Sequence, residues 1–320
     1  MNIAICIPIF NPGDQFGRLI SALASQTVRP DRILLIDSSP ISDPSLAGLP
    51  TPFQAVRIAG KDFDHGGTRR LALDVLTGED LVVFLTQDAI PTDRRSVANL
   101  IAPFVDEKVG AVFGRQLPKV NAGPIEAHAR RFNYPPESLM KSAGCIPLMG
   151  LKTAFISNTF AAYRRSALEA VDSFPARSIV SEDTFVAAQM LLAGWKVAYC
   201  AEAQVYHSHA YNWRREFQRY FDIGVFHARE PWIREKFGGA EGEGGRFLRS
   251  EMKYLGRHAP HLIPSALVRT VVKYLGFRAG LMEKYLPLQV KRWMSMQKAF
   301  WNAEQGDSQC SENKQNSSTV

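Results

Sequence analysis

Apolar residues gather in short, unbroken runs through the first third of the chain. Residues 3–10 (IAICIPIF), 32–37 (RILLID) and 81–86 (LVVFLT) are rich in Ile, Leu and Val and show no strict polar alternation. Such runs predict strands covered on both faces, as in a parallel sheet. Between the first two, DQFGRLISALASQ sets Phe16, Leu19, Ile20 and Leu23 on one helical face, so strands alternate with helices and the class is α/β. Further on, GAVFGRQ (110–116) reads as a strand, residues 153–168 as a strand then a helix, and residues 181–195 as a helix that Gly194 ends. KVAYC and AQVYHSHAY follow as short extended pieces. From Trp213 the pattern turns helical, basic and aromatic, while residues 304–320 are polar and poor in hydrophobics, which predicts disorder. The expected organisation is an α/β domain over 1–212, a helical region over 213–303 and a disordered tail over 304–320, with no internal repeat.

Composition bounds this picture. With 320 residues, 46% hydrophobic and 22% charged, the chain has ample material for a core. Cys6, Cys145, Cys200 and Cys310 show neither pairing nor metal-type spacing, so they read as reduced thiols, which favours the cytoplasm. The opening residues carry no basic leader, and no stretch reaches the ~18 apolar residues of a spanning helix, so the expectation is a soluble or surface-lying protein. A net charge of +7 and a pI near 9.3 imply an anionic partner: nucleic acid, a phosphorylated small molecule or acidic lipid head groups.

In open α/β sheets the ligand crevice lies beyond the carboxyl ends of the strands. The residues found there are Asn11 to Asp14 after the first strand, Asp37 to Pro40 after the second, and Gln87 to Pro91 after the run at 81–86. FDHGGTRR (63–70) reads either as a Gly66-Gly67 turn feeding a helix capped by Thr68, or as an anion site. The second reading rests on Arg69 and Arg70, which would sit in a first turn where the helix dipole disfavours cations and a diphosphate would relieve the conflict. Asp88 is either a helix cap or a ligand for a hard cation such as Mg²⁺ or Mn²⁺. In SEDT (181–184), Ser181 would cap a helix, with Glu182 and Asp183 either satisfying its dipole or supplying a general base. His207 and His209 in VYHSHAY point to one face of an extended segment, as a surface strand allows and a metal site requires; one imidazole joining Asp88 is more economical than a zinc site. In SALVRTVVKYLGFRAGLM (265–282), Leu267, Val271, Tyr274 and Leu275 share a face while Arg269, Lys273 and Gly276 turn away. That helix either packs on the domain or lies at a membrane with anionic head groups.

Taken together, IPIFNPG, HGGTRR, TQDA, SEDT and the late His207 resemble the inverting family 2 glycosyltransferases of GT-A fold, over roughly residues 1–230. FDHGGTRR, FLTQDAIP, SEDTFVAAQMLLAGWKVAY, VYHSHAY and QRYFDIGVFHARE look most like the bacterial rhamnosyltransferases that use dTDP-L-rhamnose. The resemblance implies a Rossmann-like mixed sheet flanked by helices, with a C-terminal helical region. It implies that Pro8, Phe10, Asn11 and Asp37 line the nucleotide base pocket, and that His65, Gly66, Gly67, Arg69 and Arg70 run under the ribose and diphosphate. Gln87 and Asp88 would fall at the metal-binding D-x-D, Glu182 and Asp183 at the catalytic acids with Asp183 as base, and His207 in the metal shell. His209, Trp213 and Arg214 would lie towards the acceptor. Thr86 stands where the first Asp of the D-x-D would be. The implied ligands are a divalent cation (Mg²⁺ or Mn²⁺) and dTDP-L-rhamnose, or a UDP- or GDP-sugar in the alternative. The implied partners are a lipid-linked glycan acceptor and the inner face of the bacterial cytoplasmic membrane. A dinucleotide oxidoreductase would need G-x-G-x-x-G after the first strand, which NPGDQFG lacks. A basic nucleic-acid-binding protein would not collect Asp37, Asp88 and Asp183 at its crevice, so nucleic acid is not expected as a partner.

Overall fold

The computed structural model describes residues 1–13, 15–41, 53–239 and 242–304. Most of the tail expected to be disordered, from residue 305 on, lies outside the described residues, as does Cys310. Among the described residues nine strands form one sheet: β1 (Ile3–Ile9), β2 (Arg32–Asp37), β3 (Gln54–Arg57), β4 (Leu81–Leu85), β5 (Ile90–Pro91), β6 (Val109–Leu117), β7 (Leu139–Lys141), β8 (Phe160–Arg164) and β9 (Lys196–Tyr206). Their order is β3-β2-β1-β4-β8-β6-β9-β5, with β7 paired to β9. The first four strands run parallel, but β8 lies antiparallel to both β4 and β6, so the sheet is mixed.

The missing polar alternation has a direct cause. Ala4, Cys6, Leu34, Ile36, Val82 and Phe84 enter the core on one face, while Ile5, Ile7, Ile33, Leu35, Val83 and Leu85 enter the core on the other. Phe16, Leu19, Ile20 and Leu23 of the Gln15–Ala24 helix cover the second face, as their spacing predicts. Beyond Met190, Gly194 adopts φ +89 and the Glu182–Leu192 helix stops before it.

The two extended pieces expected at 196–211 are one strand as far as Tyr206, and residues 207–211 lie beyond it. β9 runs through a bulge, where its register against β6 jumps from Gly114↔Cys200 to Arg115↔Gln204. The extra residues include exposed Glu202, which breaks the apolar pattern in the sequence without breaking the strand. The bulge carries β9 far enough to deliver His207 to the crevice edge.

Of the two expected readings of the 265–282 helix, packing of its apolar face on the domain is not what the structure shows. The Trp213–Arg229 and Ile263–Leu281 helices meet through Gly224, Gly276 and Gly280, where a Cβ would overlap the partner's backbone. Arg269 and Lys273 face the same way and pair with buried Glu216 at 2.6 and 3.7 Å. The apolar positions Leu267, Val271, Tyr274 and Leu275 therefore look outward, 45–60% exposed. A helix that buries glycines and charges while exposing its aliphatic face is not packed by its hydrophobic stripe. Further on, Met296 N–H donates to buried Asp222 and Trp301 is wholly buried near Phe221, in the same core cluster as β1 and β4.

Candidate active site

The carboxyl ends of β1, β2 and β4 are fastened together by side chains. Gln87 bonds the Phe10 backbone twice: its Oε1 accepts from Phe10 N–H at 2.7 Å and its Nε2 donates to Phe10 O at 3.1 Å. Asn11, held at φ +44, donates its N–H to Ser39 Oγ, and Ser39 N–H in turn donates to buried Asp37 at 2.8 Å. The Phe10 ring stands 54% exposed at this edge, next to half-buried Pro8 in β1. An exposed aromatic ring and a buried carboxylate at the end of parallel strands suit a planar heterocycle.

Asp88 follows β4 by three residues and gathers three cationic or imidazole groups. His207 Nε2 lies 3.4 Å from one carboxylate oxygen, and His209 Nε2 and Lys119 Nζ lie 3.7 and 3.3 Å from the other. One ligand atom each from Asp88, His207 and His209 falls within 4.8 Å of the others. Burial would raise the Asp88 pKa, but where the imidazoles are protonated the His207 hydrogen bond and the fields of His207, His209 and Lys119 outweigh it and hold the group low. Burial depresses both imidazoles, His209 to about 4.

The residue behind His207 fixes its tautomer. Gln116 Nε2 donates to Ser157 Oγ, so its Oε1 faces Arg130 and His207; Arg130 Nη1 donates to it at 2.5 Å, and His207 Nδ1 lies 3.0 Å away. An oxygen that can only accept requires Nδ1–H, which leaves the Nε2 lone pair aimed at the Asp88 carboxylate. Two acceptors face each other across a gap that a cation would fill. The donor set of one carboxylate and imidazole nitrogens suits a divalent ion completed by phosphate oxygens and water.

The acidic pair is asymmetric. Glu182 is buried and paired with buried Arg69 at 3.1 Å. Burial would raise Glu182, yet Arg69, His65 and a hydrogen bond from Asn158 pull it below the usual carboxylate range. Among the described residues no ion pair reaches Asp183; burial and the neighbouring Glu182 charge outweigh its hydrogen bonds and the Arg69 field and push it well above that range. Asn158 serves both acids: its N–H donates to Asp183 at 3.2 Å, its Nδ2 to Glu182 at 2.9 Å, and its Oδ1 accepts from Tyr163 OH at 2.7 Å. The antiparallel β4–β8 pairing sets this group beside Asp88, because Thr86 N–H bonds Thr159 O next to Asn158. A carboxylate poised for protons thus stands near a candidate cation site, an arrangement suited to acid–base group transfer.

The comparisons with known proteins agree with this geometry. The model of glycosyl transferase family 2 matches residues 4–172. O-antigen chain rhamnosyltransferase RfbN of Salmonella typhimurium is 48% identical over 303 residues, 94% of this chain and 96% of that protein. O-antigen chain rhamnosyltransferase WbaN of Salmonella anatum is 46% identical over 302 residues, again 94% and 96% of the two chains. The chain belongs to glycosyl transferase family 2. Its fold is GT-A: mannosyltransferase PcManGT from Pyrobaculum calidifontis, solved with GDP-Man and Mn2+, superposes at TM-score 0.54 over 94% of this chain and 85% of that one, at 17% identity.

In this family 2 glycosyltransferase the HGGTRR stretch differs from its expected role. The helix begins at His65, and its cap is Asp64, whose carboxylate accepts from Gly67 N–H at 2.7 Å; Thr68 lies inside the first turn. A capping carboxylate occupies the end where an anion was expected. Gly66 and Gly67 are required by packing, since a Cβ would overlap the carbonyls of Pro175 and Ala176. Arg69 and Arg70 sit one turn further in than expected and do not converge: Arg69 is buried on Glu182, and Arg70 pairs with exposed Asp172 at 2.9 Å. His65 instead meets Gln297 Nε2 at 3.2 Å. Ser181 adopts φ +61 and makes no side-chain cap. His209, expected towards the acceptor, joins the Asp88 cluster. Trp213 is half exposed and Arg214 lies over the Trp293 ring at 5.9 Å; among the described residues no hydrogen bond joins either to Asp88 or Asp183.

Sequence reasoning missed Lys119, Gln116, Arg130 and Asn158. Gln116 was signalled by a polar residue inside an apolar strand, and Asn158 by its place just before β8. The arginines separate experimentally. Removing one partner of a buried ion pair costs about 3–5 kcal/mol, so Arg69→Ala should lower the urea unfolding midpoint sharply. Arg70→Ala should leave both the midpoint and dTDP affinity near wild type; a large loss of dTDP affinity in Arg70→Ala alone would restore it to the donor site.

Proposed function

We propose that this glycosyltransferase moves L-rhamnose from dTDP-L-rhamnose to a hydroxyl of a lipid-linked glycan in bacterial surface polysaccharide synthesis, inverting the anomeric centre. The observation that carries the donor is the 48% identity, over 94% of the chain, to an O-antigen chain rhamnosyltransferase. Phe10, Asn11 and Asp37 are read as the seat of the base. Asp88 and His207, with His209 beside them, are read as the protein ligands of a divalent cation, Mg²⁺ or Mn²⁺. Such a cation, when bound, supplies positive charge to the diphosphate leaving group. Thr86 Oγ1, at the position of the missing D-x-D acid, is buried without a hydrogen-bond partner, and Lys119 Nζ adds a fixed positive charge 3.3 Å from Asp88.

Asp183 is the proposed base. Its carboxylate accepts the proton of the acceptor hydroxyl while that oxygen attacks the anomeric carbon from the face opposite the diphosphate; the C–O bond to the diphosphate breaks, and one displacement gives inversion. Glu182, held ionised by Arg69, does not accept the proton but raises the basicity of its neighbour.

The 213–303 region is read as the membrane side of a peripheral enzyme working at the cytoplasmic face. No described helix is long and apolar enough to cross a membrane. The outward Leu267, Val271, Tyr274 and Leu275, continued by exposed Met282, Tyr285 and Trp293, carry Arg278 and Lys284 among them, which favours anionic head groups.

Two experiments test this reading. Purified protein given dTDP-L-rhamnose, UDP-glucose or GDP-mannose with a lipid-linked acceptor extract should release nucleotide diphosphate from dTDP-L-rhamnose alone, and EDTA should suppress release until Mg²⁺ or Mn²⁺ returns. Release from another donor would discard rhamnose, and indifference to EDTA would transfer the leaving-group role to Lys119. In flotation with phosphatidylglycerol vesicles the wild type should rise with the lipid, and Val271→Asp/Leu275→Asp should stay behind; equal flotation of the two would remove this face from the membrane.

A further inference from the structure

A second polar site lies on the far side of the Pro124–Asn133 helix. This helix and the Glu243–His258 helix flank an open cavity of about 430 Å³, within the size range of small-molecule sites. Arg131, Lys253 and Arg257 line it, and among the described residues none of the three has a carboxylate partner. Lys253 and Arg257 stand one turn apart on one helix, a like-charge pair that repels unless an anion lies between. Arg131 is pre-positioned: its guanidinium lies over the Tyr254 ring at 5.5 Å and donates to Tyr254 OH at 3.0 Å.

The back wall carries a buried group without a full set of partners. His128 is 4% exposed; Nε2 meets Ser250 Oγ at 2.9 Å, while Nδ1 has no hydrogen-bond partner. Burial first, then Lys273 and Arg131, lower its pKa to about 4, so the ring is neutral and adds no charge of its own. With Ser250 Oγ donating to Nε2, Nδ1 carries the ring hydrogen and is a donor without an acceptor, a lack that an oxygen anion would satisfy.

The third feature is apolar. Leu255, Ala259 and Ala266 form a small core with Tyr254, Leu262 and Ile263, which leads from the cavity to the start of the Ile263–Leu281 helix and its exposed aliphatic face. Cations beside an outward apolar surface match an amphiphile with a phosphorylated head. The same Pro124–Asn133 helix carries Arg130, which bonds Gln116 beside His207, so one helix both lines this cavity and reaches the Asp88 cluster.

We propose that this cavity binds the diphosphate of the lipid-linked acceptor, with Arg131, Lys253 and Arg257 as its anion ligands. The assignment rests on the reading above that the acceptor is lipid-linked. The diphosphate is held on one side of the helix while the attached sugar reaches past it towards Asp183, and the lipid chain leaves along the exposed helix face. Acceptor and donor diphosphates thus have separate seats.

The test is calorimetric titration of farnesyl diphosphate into protein saturated with dTDP and Mg²⁺, which closes the donor site. Wild type should bind one molecule per chain, inorganic pyrophosphate should compete and farnesol should not. Arg131→Ala/Arg257→Ala should weaken binding by about tenfold or more with dTDP affinity unchanged. Unchanged farnesyl diphosphate affinity in the double variant would overturn the proposal, as would equal binding of farnesol. A matching loss of flotation on phosphatidylglycerol vesicles would also overturn it, since the arginines would then serve general attraction to head groups. Failure of dTDP to bind at all would count against the proposed donor, while the farnesyl diphosphate titration would still report on the cavity.

Discussion

The buried ion pair between Arg69 and Glu182 is the constraint on which the proposed reaction site depends. It joins the His65–Val75 helix to the Glu182–Leu192 helix beneath the crevice. Two adjacent carboxylates in a low-dielectric setting cannot share the same proton affinity once one of them holds a guanidinium. Glu182 is fixed as the anion, and Asp183 inherits both the burial and its neighbour's negative field. Asn158 keeps the two apart by offering a separate donor to each. Arginine at position 69 therefore shapes the basicity of the pair through Glu182.

The mixed sheet converts this local asymmetry into a site. Four parallel strands end at the Phe10–Gln87 clamp and Asp37; the antiparallel β8 then enters from the opposite direction and places Asn158 alongside Thr86. β9, lengthened by its bulge, brings His207 to Asp88 from the other side of β6. Contributions from β4, β8, β9 and a helix start converge without any two being close in sequence. The C-terminal helices add a second theme: glycine contacts and the Glu216 pairs fasten them inward, which leaves their aliphatic stripe outward.

Much of this was legible in the sequence, for reasons that can be named. Unbroken Ile, Leu and Val runs mark strands because both faces are covered, and the Phe16–Leu23 spacing marks a helix because only one face is. Asp88, Asp183 and His207 could be singled out because polar groups of these types stand at a strand end or a helix start. Arg69, Gly66 and Gly67 misled because the same residue types serve an anion loop and a tight helix–loop contact, and only the Pro175 and Ala176 carbonyls distinguish the two. Lys119, Gln116 and Asn158 escaped because their role depends on strand pairing between distant segments. The Ile263–Leu281 helix misled on one of its two readings, since an apolar stripe ordinarily faces a core, whereas glycine and charge bury the opposite side here.

The most direct test of the account is the single-turnover rate of sugar transfer as a function of pH, measured for the wild type, Asp183→Asn and Glu182→Gln with donor binding monitored in parallel. A base must be ionised to act, so the wild-type rate should rise with pH through a midpoint above the ordinary carboxylate range. Asp183→Asn should lose that limb and ~10²–10⁴-fold in rate while still binding dTDP. Glu182→Gln should keep transfer and move the midpoint down, because the neighbouring charge is gone. Retention of rate and acid limb in Asp183→Asn, or their loss in Glu182→Gln with the fold intact, would contradict the account and exchange the roles of the two acids.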